Sequence, residues 1–431
     1  MGRWIVGLCV LLAATGGAWL YLSQGASPTR TAARSSAGSI VSIRGAGDGS
    51  AAQSPSSSAD SSKGGGAPSG FGSAPESRYE DGEILISDPP SGFADMIGPL
   101  GFTVKERVDL PELSITLYRL HTPRGMAVPE ARKLLGARFP GLTIDANHQF
   151  EAQGPPKDFS GNLPRAVIGW RPASPDCGGG VRIGMIDAAV DVSHPALAGQ
   201  DIEYVSFHDN GRKPGPADHG TAVAGILVGK PEWGGLLPGA SLAAGNMFEV
   251  NEAGEVVGNG VSMLKAVNWM IKTKVHVINM SVAGSDNKIV RKALKEAVEK
   301  GLIIVAAAGN WGRDGNKPAF PAAYKEVVAV TAFAADKTIY SHANSGSYID
   351  FAAPGVQIYT ATTGGGGRMQ SGTSFAAPYI SALIALTTAA GNVKPEDILK
   401  KLMMEKAVDL GIPGHDQVYG NGFVTLQPDC K

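Results

Sequence analysis

Val181-Arg182-Ile183-Gly184-Met185-Ile186 is a short, largely apolar run that ends on an acid, Asp187. A run of this length and texture reads as a strand buried on both faces. Val275-His276-Val277-Ile278-Asn279-Met280 and Leu302–Ala307 have the same texture, and Thr221–Val228, Val261–Lys272 and Ile289–Lys300 read as helices between them. Strands alternating with helices imply a parallel sheet covered by helices on both faces, the α/β class. That texture runs from residue 154 to residue 431.

Upstream the texture changes. In 79–153, Glu83–Ser87 reads as a strand, a helical stretch follows near Gly92–Leu100, and Phe102–Val108 and Leu113–Leu120 read as two strands broken around Pro111. Val128–Arg138 reads as a helix with Pro129 in its first turn, and a last strand begins at Leu142. The order β-α-β-β-α-β predicts a small ferredoxin-like α+β unit. Between Ala26 and Arg78, 38 of 53 residues are Gly, Ser, Ala or Pro. Such a segment cannot bury enough apolar surface to offset its ordering entropy, so 26–78 reads as a disordered linker. Ile5–Leu22 carries no charge and is mostly apolar, which suits a signal peptide or a membrane anchor within 1–25. Export to the cell envelope or periplasm follows, with the chain either membrane-anchored or secreted.

The 38 basic and 39 acidic residues leave a net charge of −1 with no long basic run, so nucleic acid is not an expected partner. Three cysteines among 431 residues exclude a disulfide-dense scaffold, and no C-x-x-C motif is present. Cys177 and Cys430, the two outside the N-terminal segment, form one bridge in an exported chain or remain two unrelated thiols.

Three segments place ionisable or nucleophilic groups at strand ends and helix starts. They are Gly184-Met185-Ile186-Asp187, Asp218-His219-Gly220-Thr221-Ala222-Val223-Ala224-Gly225, and Ser371-Gly372-Thr373-Ser374-Phe375-Ala376-Ala377-Pro378. Sites in open α/β sheets form at the carboxyl ends of strands, where an acid, a histidine and a serine can act as orienter, base and nucleophile. Each residue alone has a plainer reading, as a helix cap, a loop acid or a core histidine. Together the three flanking patterns resemble the subtilisin-like serine proteases, over essentially all of Val181–Leu426. The chain order Asp, His, Ser also fits that family, whereas an α/β-hydrolase expects Ser, acid, His.

The resemblance implies a serine endopeptidase that acts on proteins or peptides through an acyl-enzyme, with no cofactor. It implies Ser374 as nucleophile, His219 as base, Asp187 as orienter, and Asn310 in Ala306-Ala307-Ala308-Gly309-Asn310 as a side-chain oxyanion donor. Ser281, Val282 and Ala283 match one wall of the substrate cleft, Gly258, Asn259 and Gly260 the other edge, and Ala319 the pocket floor. The unit at 79–153 resembles the family's inhibitor-type propeptide, a partner in cis whose last strand, Ile144–Phe150, is expected to run towards the active site. The loop Gly229–Gly235 departs from the family's calcium-binding loop, so the sequence gives no support for calcium and no metal ligand is assigned. Asp191 and Asp209 read as solvated loop acids, and no acid is found that would favour a basic residue at the scissile position.

Overall fold

Eight parallel strands form the centre of the larger part of the chain. The computed structural model describes residues 40–43, 78–152, 167–170, 173–313, 317–389, 397–398 and 406–425. The apolar segment Ile5–Leu22 and Cys430 lie outside these residues. The strands are β5 (Arg182–Asp187), β6 (Ile202–Ser206), β7 (Ser241–Asn246), β10 (Val277–Met280), β12 (Ile303–Ala307), β13 (Val328–Phe333), β14 (Phe351–Pro354) and β17 (Phe423–Val424). Their spatial order is β6-β7-β5-β10-β12-β13-β14-β17, all parallel. Two short strands flank them antiparallel: Ala407–Val408 beside β17, and Ile40–Ile43, from within the segment expected to be a linker, beside β6.

Helices cover both faces, as the alternation implied. α3 (Asp218–Val228) and α6 (Thr373–Ala389) lie on one side, and α4 (Gly260–Lys272) and α5 (Lys288–Glu299) on the other. The α5 pattern shows why: Ile289, Val290, Ala293, Leu294 and Ala297 are buried, and that spacing puts them on one face of a 3.6-residue helix. α6 differs, being apolar all round and buried from Thr373 to Ala385, which suits a central helix. The strand order reverses on either side of β5: the chain leaves β5 for β6 and β7 on one side, then crosses to β10 on the other. Asp187 stands at the carboxyl end of that switch strand, where open α/β sheets leave a crevice.

The upstream unit contains β1 (Tyr79–Ser87), α1 (Phe93–Ile97), β2 (Thr103–Leu110), β3 (Ile115–His121), α2 (Val128–Arg138) and β4 (Thr143–Ala152). This is the expected order. The strands pair antiparallel as β2-β3-β1-β4 around a core of Ile84, Ile86, Phe93, Leu120, Ala131 and Leu135. That sheet continues past β4 into β9 (Val256–Asn259) and β8 (Phe248–Val250) of the larger part, and β4 also pairs with β11 (Val282–Gly284). Among the described residues no helix is long and apolar enough to cross a membrane.

Candidate active site

Asp187 is fully buried, and its Oδ1 accepts the Ala188 amide at 2.6 Å. The same oxygen lies 2.6 Å from His219 Nδ1. A carboxylate at that distance favours the tautomer with the proton on Nδ1, which leaves Nε2 as the basic nitrogen. His219 is the second residue of α3, whose first turn begins three residues earlier than the sequence pattern indicated. That turn can approach Asp187 because residue 220 is glycine: a Cβ there would lie 2.4 Å from the carbonyl oxygens of both Ala188 and Ala189. The Phe375 ring, next to Ser374, packs against the imidazole with centroids 5.5 Å apart.

Ser374 enters α6 in its first turn and is buried. Pro378 sits four residues on and has no N–H for the Ser374 carbonyl. Ser281 Oγ donates to that carbonyl instead, at 2.9 Å, and Ser374 Oγ lies 3.3 Å from the Ser281 carbonyl. Asn279 Nδ2 donates to Ser281 Oγ, and Ser381 Oγ donates to Asn279 Oδ1, both at 2.9 Å. A chain of side-chain hydrogen bonds thus fastens the serine turn to the junction of β10 and β11. The resemblance placed Ser281 on the cleft wall. Its side chain also holds the backbone of Ser374, and the signal for that was Pro378.

Asn310 follows β12 and is buried. Its Oδ1 accepts from the Thr373 amide at 3.0 Å and from Thr373 Oγ1 at 2.9 Å, so the plane of the amide and the direction of its NH2 group are fixed. Ala319 is buried against the Gly309–Asn310 turn. Phe320, its neighbour, exchanges two backbone hydrogen bonds with Gly284 at the end of β11. Ala319, Ser281, Val282 and Ala283 are therefore brought together around one wall.

Strand β4 lies between the two expected cleft edges. Phe150 stands opposite Gly258 on β9 and opposite Gly284 on β11, and Glu151 and Ala152 continue opposite Ala283 and Val282. The strand heads for Ser281 and hence for Ser374. Gly284 admits the Phe150 ring, since a Cβ there would lie 2.5 Å from it. Asn259 lies on the β9 edge strand, and only the placing of Gly260 there needs correction. Asn259 pairs through its backbone with Gln149, but its side chain caps α4 by accepting from Ser262, and Gly260 is the first residue of α4. Gly260 N–H donates to Asn147 Oδ1, and the Lys288 amide, first in α5, donates to Asp145 Oδ2. Alternate residues of β4 thus serve two helix N-termini, whose partial positive charge favours such acceptors.

Asp209 is also corrected. It is half-buried at the contact between the two parts, where Arg119 Nη1 lies 3.0 Å from its carboxylate. Arg119 is 2% exposed and is held by Glu83 as well, at 2.6 and 3.0 Å. Burial raises both carboxylates, but the Arg119 guanidinium and the Lys105 ammonium together hold them below their ordinary range. Asp191 fits the expected loop role: its side chain accepts from the Ser193 amide and hydroxyl.

The Gly229–Gly235 loop closes on itself through Trp233 N–H to Lys230 O and Gly234 N–H to Pro231 O. Cys177 is buried and disulfide-bonded.

The subtilase family model matches residues 178–422. Over 258 residues the chain is 34% identical to the minor extracellular protease Epr of Bacillus subtilis (strain 168), covering 57% of this chain and 38% of that protein. It is 32% identical over 247 residues to Subtilisin-like protease 1 of Trichophyton verrucosum, with coverages of 55% and 60%. A third relative is the major intracellular serine protease of Bacillus subtilis (strain 168), at 30% over 267 residues, with coverages of 58% and 82%. The chain thus spans less than two thirds of the length of the first two. Among solved structures, fervidolysin from Fervidobacterium pennivorans aligns with a TM-score of 0.65 at 22% identity, over 83% of this chain and 62% of that one, a likeness of fold. Since the family match takes in the Asp187, His219, Asn310 and Ser374 segments and more than half of all residues, the chain belongs to the subtilase family.

Proposed function

We propose that the chain is a serine endopeptidase acting through Ser374, His219 and Asp187. The observation that carries this is the 2.6 Å contact of His219 with a buried carboxylate at the switch point of the sheet, on the same crevice as the N-terminus of α6. In this reading His219 Nε2 takes the Ser374 hydroxyl proton as Oγ attacks the peptide carbonyl, then returns it to the leaving amine. Asp187 holds the imidazole and stabilises its charged form. Asn310 and the Ser374 amide donate to the developing oxyanion, an interaction worth most in the transition state. A substrate strand would take the place of β4 between β9 and β11, with backbone pairing for affinity and pockets for side-chain preference.

The unit at 79–153 is read as an inhibitor in cis. Strand β4 uses the hydrogen bonds that a substrate would need, and covalent linkage makes that occupancy intramolecular. Ala152, the last described residue of the strand, pairs with Val282 beside Ser281, and self-processing is expected just beyond it, at Gln153-Gly154. Export is proposed from the apolar segment Ile5–Leu22 together with the disulfide at Cys177, because disulfides persist in oxidising compartments.

Fluorophosphonate labelling of the purified chain and of Ser374→Ala, with N-terminal sequencing of both, tests the reading. The wild type is expected to label and to yield a chain beginning at Gly154, and the variant to do neither. His219→Ala and Asp187→Ala should each remove most activity, with losses that do not add. Wild-type turnover in Ser374→Ala would reject the assignment.

A further inference from the structure

His148 occupies the middle of the contact between β4 and the rest of the chain, 4% exposed, and its protonation state is dictated by a neighbour that cannot turn over. That neighbour is Asn287, the N-cap of α5. Asn287 Oδ1 accepts the amides of Ile289 and Val290, each at 3.0 Å. With its oxygen committed to two cap bonds, the amide must present its NH2 group to β4. Nδ2 lies 3.0 Å from the Ala146 carbonyl and 2.9 Å from His148 Nδ1. An NH2 group can only donate, so His148 Nδ1 must be the unprotonated nitrogen of a neutral ring. A proton added there would meet a donor, at a ring that is buried from solvent.

The geometry points to a proton-sensitive latch: protonation of His148 releases β4 from the cleft edges. The inference rests on reading 79–153 as the inhibitor of the cleft. Neighbours on every packed element bear on it. Burial holds the imidazole below its ordinary 6.5, Asp145 on the same strand and Asp286 before α5 pull upward, and Arg132 on α2 pushes down. The Tyr79 ring from β1 stands edge-on at 6.3 Å, and the N-terminus of α5 adds partial positive charge. The docked form therefore binds fewer protons than the released form, in which His148 is solvated. Docking is favoured above the ordinary value and is lost as pH falls through it, by up to about tenfold per pH unit from this group. Glu83 and Asp209, the carboxylates of the buried ion network at the same contact, are both held below their ordinary range and stay charged across this window. His148 also directly follows Asn147 and comes three residues after Asp145, which serve the two helix N-termini, and it precedes Phe150 by two, so displacing it disturbs those neighbouring contacts.

The full-length Ser374→Ala chain, which cannot process itself, is the material for the test. Hydrogen exchange of the β9 and β11 amides is measured from pH 7.5 to 5.5 and expressed as protection relative to intrinsic exchange. Protection is expected to fall several-fold below about pH 6.5 in this chain, and to lose that dependence in a His148→Phe background. In an Asn287→Asp background the carboxylate keeps the cap bonds but accepts from a protonated ring, so protection should rise as pH falls. An unchanged pH profile in both double variants, or a flat profile in the parent, would overturn the latch. None of these readings requires peptidase activity, so a failure of the catalytic assignment shows separately in the labelling experiment.

Discussion

Ser374 is legible in the sequence because the run around it is dense in small residues at fixed spacing, and that spacing is the imprint of a helix entering a crowded site. What holds the serine is less legible. Pro378 removes the amide that would have satisfied the Ser374 carbonyl, and Ser281, 93 residues earlier in the chain, supplies the missing donor. Ser281→Ala is therefore expected to remove a hydrogen bond from a buried carbonyl. The cost should be about 1–3 kcal/mol of stability, measured by denaturant unfolding, with a lower kcat from the loosened nucleophile. Unchanged stability and kcat would mean that the carbonyl finds another donor. Thr373 is a similar case, since its hydroxyl and amide orient Asn310, yet nothing in a Gly-Thr-Ser sequence separates that role from ordinary helix entry.

At the scale of elements, the helices and strands named from apolar patterning are present with ends within a few residues of the patterns, while sheet strands such as β6, β7, β13 and β14 were not named from the sequence. The close approach of two elements is a different matter. Gly220 belongs to α3 by sequence, but its lack of a side chain matters because the turn after β5 passes against it. Gly220→Ala would force α3 away from Asp187 and lengthen the 2.6 Å contact with His219. Activity is expected to fall by two orders of magnitude or more, since small displacements of catalytic groups are costly on about that scale. The loss should be seen mainly in kcat, measured on a short peptide substrate, with thermal unfolding run alongside. Retention of near-wild-type kcat in a stable Gly220→Ala protein would show that the helix start tolerates the shift. Asn259 makes the complementary point. Its position beside the cleft edge was legible, but its side chain turns back to cap α4, a choice made by the amide of Ser262 in the folded chain.

For the whole molecule, the two parts are joined by more than the linking segment. Strand β4 completes one sheet with β1 while bridging β9 and β11, and Arg119, Glu83 and Asp209 form a buried ion network across the contact. Breaking such a network from one side is more damaging than never building it, because it leaves a buried charge uncompensated. The disulfide at Cys177 belongs to this scale too. We expect its partner to be Cys430, closing a loop of about 250 residues, for which chain-entropy reasoning gives about 5 kcal/mol. Alkylation under denaturing conditions followed by peptide mass spectrometry should find a Cys177–Cys430 linked pair in protein from the envelope. A Cys177–Cys9 pair or two free thiols would reject that pairing.

The sequence by itself determined the α/β class and the β-α-β-β-α-β order upstream, and it marked Asp187, His219 and Ser374 as candidates. All of these rest on local patterning: apolar runs of strand length, helical periodicity, and motifs a few residues long. Only the tertiary structure decided which donor serves the Ser374 carbonyl, that Asp209 is tied into an ion network rather than solvated, and that the Asn287 amide faces His148. Each of these is a pairing between residues far apart in the chain, from 90 positions for Arg119 and Asp209 to 139 for His148 and Asn287. A hydrogen bond depends on distance and direction in space, and a linear sequence records neither until the sheet order and the crossings between its strands have set them.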